Sequence, residues 1–172
     1  MANTYTEIAS VTVGSGGSST ISFSSIPATY TDLQIYFSYK TNRSNAADAV
    51  GFYLNTDTTT GNYTIRQLNG TGSAVASTTP PYNDEYMFGD GNGANTYVYS
   101  NSQIYIANYA SSSAKSLSID SVGENNGLTA YSNIAAYLWN SSSAVNKITM
   151  FPITGTAFLQ YTTAYIYGIL KS

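Results

Sequence analysis

The chain has 172 residues, no cysteine and no histidine, and nine acidic against six basic residues give a net charge of -3. That inventory excludes disulfide staples, thiolate zinc sites, cysteine nucleophiles and imidazole acid–base chemistry, and the size suits one domain over 1–172 that buries a core without cross-links. Charged residues make up 9%, against about 25% in an average soluble domain, so hydroxyls and amides must supply the polar surface.

From the N-terminus, Tyr5 to Val13 reads as a strand, and Ile21 and Phe23 mark a shorter one ending before Ile26-Pro27. Between Asp32 and Lys40, Leu33, Ile35, Phe37 and Tyr39 alternate with Gln34, Tyr36, Ser38 and Lys40, the period of a half-buried strand. Val50, Phe52 and Leu54 repeat that pattern, and Tyr63 to Leu68 follows. The segment from Gly70 to Asn95 holds Pro80-Pro81 and the run GDGNGAN from Gly89 to Asn95. It reads either as a projecting loop or as a short edge strand over Glu85–Phe88 between two connections. Tyr97–Tyr99, Gln103–Tyr109, Lys115–Val122, Thr129–Trp139, Lys147–Ile153 and Phe158–Leu170 complete about ten strands. Turn-forming separators such as Gly14–Ser19, Asn42–Asn45, Asn69-Gly70 and Asn125-Asn126-Gly127 stand between them, without an amphipathic helix. Short, regular spacing of this kind predicts antiparallel connections: an all-β, antiparallel β-sandwich, jelly-roll-like ahead of immunoglobulin-like.

With no histidine or cysteine, carboxylates alone could run hydrolysis, as a general acid paired with a nucleophile. The clusters are Asp84-Glu85, and Asp120 with Glu124. Neighbours on an extended chain point to opposite faces, and the second pair falls at a strand end and its turn, so both read as solvated acids. Asp90, Asn92 and Asn95 offer oxygen ligands among glycines, but Ala94 occupies a ligand position and no Glu closes the loop, which fails the EF-hand spacing. The expectation is a non-enzyme with no catalytic, cofactor-binding or metal-binding residue, and no binding residue is assigned.

Lys40 and Arg43 are the close pair of bases, while Arg66, Lys115, Lys147 and Lys171 stand alone. Scattered bases read as solvated surface, and without an electropositive footprint no nucleic-acid partner is expected. No stretch approaches the roughly 20 apolar residues of a membrane span, and the opening MANTYTEIAS lacks the basic and apolar regions of a signal peptide. Four glycosylation sequons, at Asn42, Asn62, Asn69 and Asn140, are what chance supplies in so Asn- and Ser-rich a chain. Seventeen tyrosines and Trp139 suit either stacking on sugar rings or a protein interface; the interface is favoured, with Trp139 as core.

Four stretches carry a further signal: MANTYTEIASVTVGSGG, SSIPATYTDLQI, SIDSVGENNGLTAY and QYTTAYIYGI. Together they give the chain, nearly end to end, a resemblance to small virion proteins of tailed bacteriophages. No catalytic motif belongs to that pattern. The resemblance implies a homotrimeric jelly-roll decoration or cement protein that clamps major capsid subunits of the same phage, on the capsid surface of a virion assembled in the host cytoplasm. A tail-fibre or receptor-binding module recognising host surface glycan is the alternative. On the cement reading, Met1 to Thr6 would act as an arm that adds a strand to a neighbour's sheet edge.

Overall fold

The computed structural model describes residues 4–79, 87–127 and 130–170. Twelve strands are formed: β1 (Tyr5–Thr12), β2 (Ile21–Ser24), β3 (Asp32–Tyr39), β4 (Ala47–Leu54), β5 (Tyr63–Gly70), β6 (Val75–Thr78), β7 (Met87–Asp90), β8 (Ser100–Ile106), β9 (Lys115–Gly123), β10 (Tyr131–Trp139), β11 (Lys147–Pro152) and β12 (Thr163–Ile169). They make an eight-stranded sheet in the order β1-β12-β3-β8-β9-β10-β5-β6 and a four-stranded sheet in the order β2-β11-β4-β7. Neighbouring strands pair antiparallel throughout. The chain passes repeatedly between the two sheets, which gives the jelly-roll-like antiparallel sandwich the periodicity predicts.

The core lies between the sheets and follows from alternation. Leu33, Ile35 and Phe37 of β3, Ile104 and Ile106 of β8, and Leu117 and Ile119 of β9 face Phe52, Leu54, Ile148 and Met150 of the small sheet. Each such side chain contributes about 1.5–3 kcal/mol on full burial, which is where a chain without cross-links gets its stability.

Strands whose pattern departs from alternation are the ones the sequence pattern misses. Every residue of β6 is exposed and every residue of β7 is buried, so neither shows period two. Glu85, in the expected edge strand over Glu85–Phe88, lies outside the described residues, but β7 at Met87–Asp90 does form an edge of the small sheet. Conversely, Tyr97–Tyr99 alternates yet is no strand, because the Val98 amide turns back to the Asn95 carbonyl at 3.2 Å. β8 ends at Ile106 rather than Tyr109, and Asn108 just beyond it takes a left-handed φ of 49°. β12 starts at Thr163 rather than Phe158, two residues after Tyr161 at a φ of 71°.

Two structural expectations are corrected. The glycine run does not project: the Gly91, Asn92 and Gly93 amides donate to the carbonyls of Ala46, Arg43 and Asn45. A Cβ on Gly91 would lie 2.3 Å from the Asn45 oxygen, and one on Gly93 2.2 Å from the Ser44 oxygen. Glycine permits that backbone-on-backbone approach. Nor is Thr4–Thr6 a free arm, since the Leu170 amide donates to the Thr4 carbonyl and Tyr5 and Thr6 pair with Ile169 and Gly168. Met1–Asn3 lie outside the described residues.

Candidate functional site

At one end of the sandwich the β1–β2 turn, the chain leaving β3, the β7–β8 connection and the β11–β12 connection enclose a groove of about 590 Å³. Its floor is Phe158, fully buried and edge-on to Phe37 at 5.4 Å, and fixed in place because its amide and carbonyl exchange hydrogen bonds with Ser18. The β11–β12 connection is pinned from two further sides: the Leu159 amide donates to the Lys40 carbonyl at 2.8 Å and the Tyr161 amide to the Val13 carbonyl at 2.9 Å.

The walls are aromatic. Tyr97 is 91% exposed and Tyr161 67% exposed, and Tyr99 stands half-buried with them. The left-handed φ of Tyr161 is rare for a residue with a bulky side chain, and such strained positions concentrate at ligand sites. The Tyr99 hydroxyl donates to the Gln160 carbonyl at 2.5 Å, joining two of the enclosing loops. Burial, with Tyr161 nearby, pushes the Tyr99 phenol above its usual pKa. Asn42 serves the frame, its side-chain oxygen accepting from the Thr156 and Ala157 amides and its nitrogen donating to Thr156 Oγ1. Asn92 and Ser15 are exposed on the groove's lining and Gln160 is half-exposed there.

Lys40 is the charged residue of this lining. It is only 1% exposed, contrary to the solvated surface expected of it, and its Nζ donates to the Asn95 carbonyl at 2.5 Å. Burial lowers its pKa and Asp90 opposes that shift. Among the described residues the one ion pair is Arg43 with Asp48, at 3.7 Å. Among the described residues no Asp or Glu lines the groove.

The other candidates do not converge. Asp84-Glu85 lies outside the described residues. Asp120 sits within β9 and faces outward, not at the strand end as expected, while Glu124 accepts from the Asn126 amide at 2.8 Å in the following turn. Asp90 is buried, its two oxygens taken by Ser100 Oγ and Asn125 Nδ2, both at 2.9 Å, whereas Asn92 faces the groove and the Asn95 side chain caps the Tyr97 amide. Among the described residues no group of three or more His, Cys, Asp or Glu is placed to hold a metal ion. Trp139 is core, as expected, with Nε1 donating to Asp57 Oδ2 at 2.8 Å. Lys115, expected on the surface, is fully buried beside it.

A second surface is the outer face of the eight-stranded sheet. Register aligns Tyr165, Tyr36, Gln103, Asp120, Ile134 and Leu68 in one row across six strands. Tyr36, Tyr165, Ile134 and Leu68 are exposed, and the row carries a single charge, Asp120. Tyr36 also meets Tyr167 edge-on at 5.9 Å, a contact that fixes ring orientation on the open face. Among the described residues no helix is long and apolar enough to cross a membrane.

No family model and no curated protein matches the chain. Among solved structures, it is similar to the Ruminococcus gnavus IT-sialidase CBM40, at 12% identity and a TM-score of 0.34 over 97% of this chain and 94% of that one. The same module bound to α2,6-sialyllactose aligns at 12% identity and a TM-score of 0.33, covering 98% and 93% of the two chains. Overlap of that degree is too distant to bear on the ligand.

Proposed function

We propose that this chain is a non-enzymatic structural protein of a tailed-phage particle, a homotrimeric decoration or cement protein that grips major capsid subunits through the outer face of its large sheet. The observation that carries the reading is the row from Tyr165 to Leu68, broad, with two tyrosines at one end and two aliphatic residues at the other, and carrying a single charge. Six strands at about 4.8 Å spacing give such a face a width of about 24 Å between its outermost strands, a scale suited to a standard protein interface. Rigid aromatic side chains bury area at low entropy cost, and few charges leave the contact insensitive to salt. The nearly end-to-end sequence resemblance to virion proteins is what suggests the partner and the trimer.

Such a protein acts by mass action. Binding the assembled shell and not its open form stabilises the shell, and many symmetry-related copies multiply a modest gain. The test is quantitative mass spectrometry of purified virions together with binding to isolated heads. A copy number comparable with that of the major capsid protein, and heads made more heat-resistant by the added protein, is the expected result. Absence from the particle would overturn the reading.

A second reading, a tail or fibre module that recognises host glycan, is favoured by the groove with Tyr97, Tyr99 and Tyr161. A copy number lower than that of the capsid protein by an order of magnitude, with binding to host surface polysaccharide, would put this reading first.

A further inference from the structure

We infer that the groove at the end of the sandwich takes an acidic saccharide, with the aromatic walls packing on sugar rings and Lys40 attracting the carboxylate. The inference rests on the saccharide reading of this groove and is independent of where on a particle the chain sits.

Size and shape come first. At about 590 Å³ the groove falls within the roughly 300–1,000 Å³ typical of small-ligand sites. Its exposed aromatic surface is tyrosine, with Tyr97 and Tyr161 turned largely to solvent. An aromatic face offers a flat apolar platform for the C–H face of a sugar, and the phenol adds a polar tip. Asn92 and Ser15, exposed on the same lining, supply donors and acceptors for hydroxyl groups.

Charge then selects among sugars. Lys40 lies in the floor without a carboxylate partner among the described residues, its acceptor being a neutral carbonyl. Asp90, the acid that acts on it electrostatically, has its own oxygens bound by Ser100 and Asn125 on the core side. Among the described residues no acid lines the groove, so Lys40 is the formal charge nearest an incoming ligand, with Asp90 buried behind it. A buried cation acts through a lower effective dielectric than water, so its pull on an incoming anion exceeds that of a surface lysine. A carboxylate also relieves the desolvation cost of the ammonium, which a neutral sugar does not. The walls meanwhile demand a ring to stack on, which a bare small anion lacks.

The test is titration of the full chain, by calorimetry or by NMR shifts, with trigalacturonate and with its fully methyl-esterified form. The two probes share every ring and differ in charge. The acid is expected to bind about tenfold more tightly than the ester at low salt, with the gap shrinking as ionic strength rises. Lys40→Met is expected to abolish the gap and leave ester binding in place, whereas Tyr97→Ala weakens both probes. Equal affinity of the native protein for both probes would overturn the acidic preference while the saccharide reading stands. Failure of both to bind would overturn the two together. A gap that survives in a folded Lys40→Met variant would remove Lys40 from the site. The salt series and the ester comparison use the native chain and so do not depend on Lys40→Met folding.

Discussion

Lys40 and Lys115 are both buried, and register puts them at opposite ends of the large sheet, Lys40 just past the Tyr39–Ser100 pair and Lys115 near the Leu33–Ile106 pair. Their settings differ. Lys115 Nζ donates to the carbonyls of Ser111 and Ser113 and lies 5.9 Å from the centre of the Trp139 ring, whose N–H is in turn capped by Asp57. That end is closed: cation, ring and loop carbonyls satisfy one another. Lys40 has one carbonyl and faces a groove whose rings point to solvent. The same residue type, its pKa lowered by burial in both settings, completes a packed end in one place and leaves a receptive one in the other. Exposure of the neighbouring aromatics, not burial of the lysine, distinguishes architecture from a site.

Substitutions at the closed end should cost stability and leave the groove's ligand binding intact, and the largest effect is expected from Trp139→Ala. It removes a fully buried ring and the face under Lys115, and a loss of about 3–5 kcal/mol is expected in urea unfolding. At the groove end the largest effect comes from backbone. Gly93→Ala would set a Cβ 2.2 Å from the Ser44 oxygen, costing about 3 kcal/mol and disordering the wall that carries Tyr97. Gly14→Ala, where a Cβ meets nothing within 4 Å, is the matched control, and its unfolding midpoint should stay put.

Asp57→Ala returns to the closed end with a smaller effect, about 2 kcal/mol, because the Trp139 N–H is left without its acceptor. Burial tends to raise the Asp57 pKa, but hydrogen bonds from Trp139, Asn62 and Thr59 outweigh it and hold the carboxyl at about 2, below its ordinary 3.8. A depressed carboxylate stabilises the fold above its unfolded pKa, and that contribution is lost as pH falls through the folded value. Stability of the native chain should therefore drop more steeply than that of Asp57→Asn between pH 4 and pH 2, read by thermal melts; parallel curves would contradict the assignment. The smallest stability effect belongs to Tyr97→Ala, within about 0.5 kcal/mol because so exposed a ring packs on little. A large loss there would mean that Tyr97 is structural and not a ligand wall.

Strands with one buried face were legible without a structure, as β3, β9 and β10 illustrate, because a two-residue period is imposed by the pleat and needs no knowledge of partners. β6 and β7 were not, since a strand exposed or buried on both faces has no period to read. Lys40 was misplaced for a related reason. It continues the outward set of Gln34, Tyr36 and Ser38 on β3, yet the β7–β8 connection folds over it, the chain bridging at Lys40 and Asp90 and the Asn95 carbonyl receiving its ammonium. Tyr97 and Tyr99 alternate like a strand, yet Tyr97 lies inside the turn from Asn95 to Val98 and Tyr99 just beyond it. Their number signalled a contact surface, but nothing local said that they would meet Tyr161 from a segment some sixty residues away.

Alternation, turn chemistry and the absence of cysteine and histidine were thus enough to set an antiparallel sandwich and to exclude thiol, imidazole and disulfide chemistry, because those properties belong to single residues and their immediate neighbours. The groove, the burial of two lysines and the row of tyrosines and aliphatics across six strands came from how distant segments were laid against one another. Such juxtapositions depend on strand order and loop packing, contacts between residues far apart in the chain, and no local period encodes them.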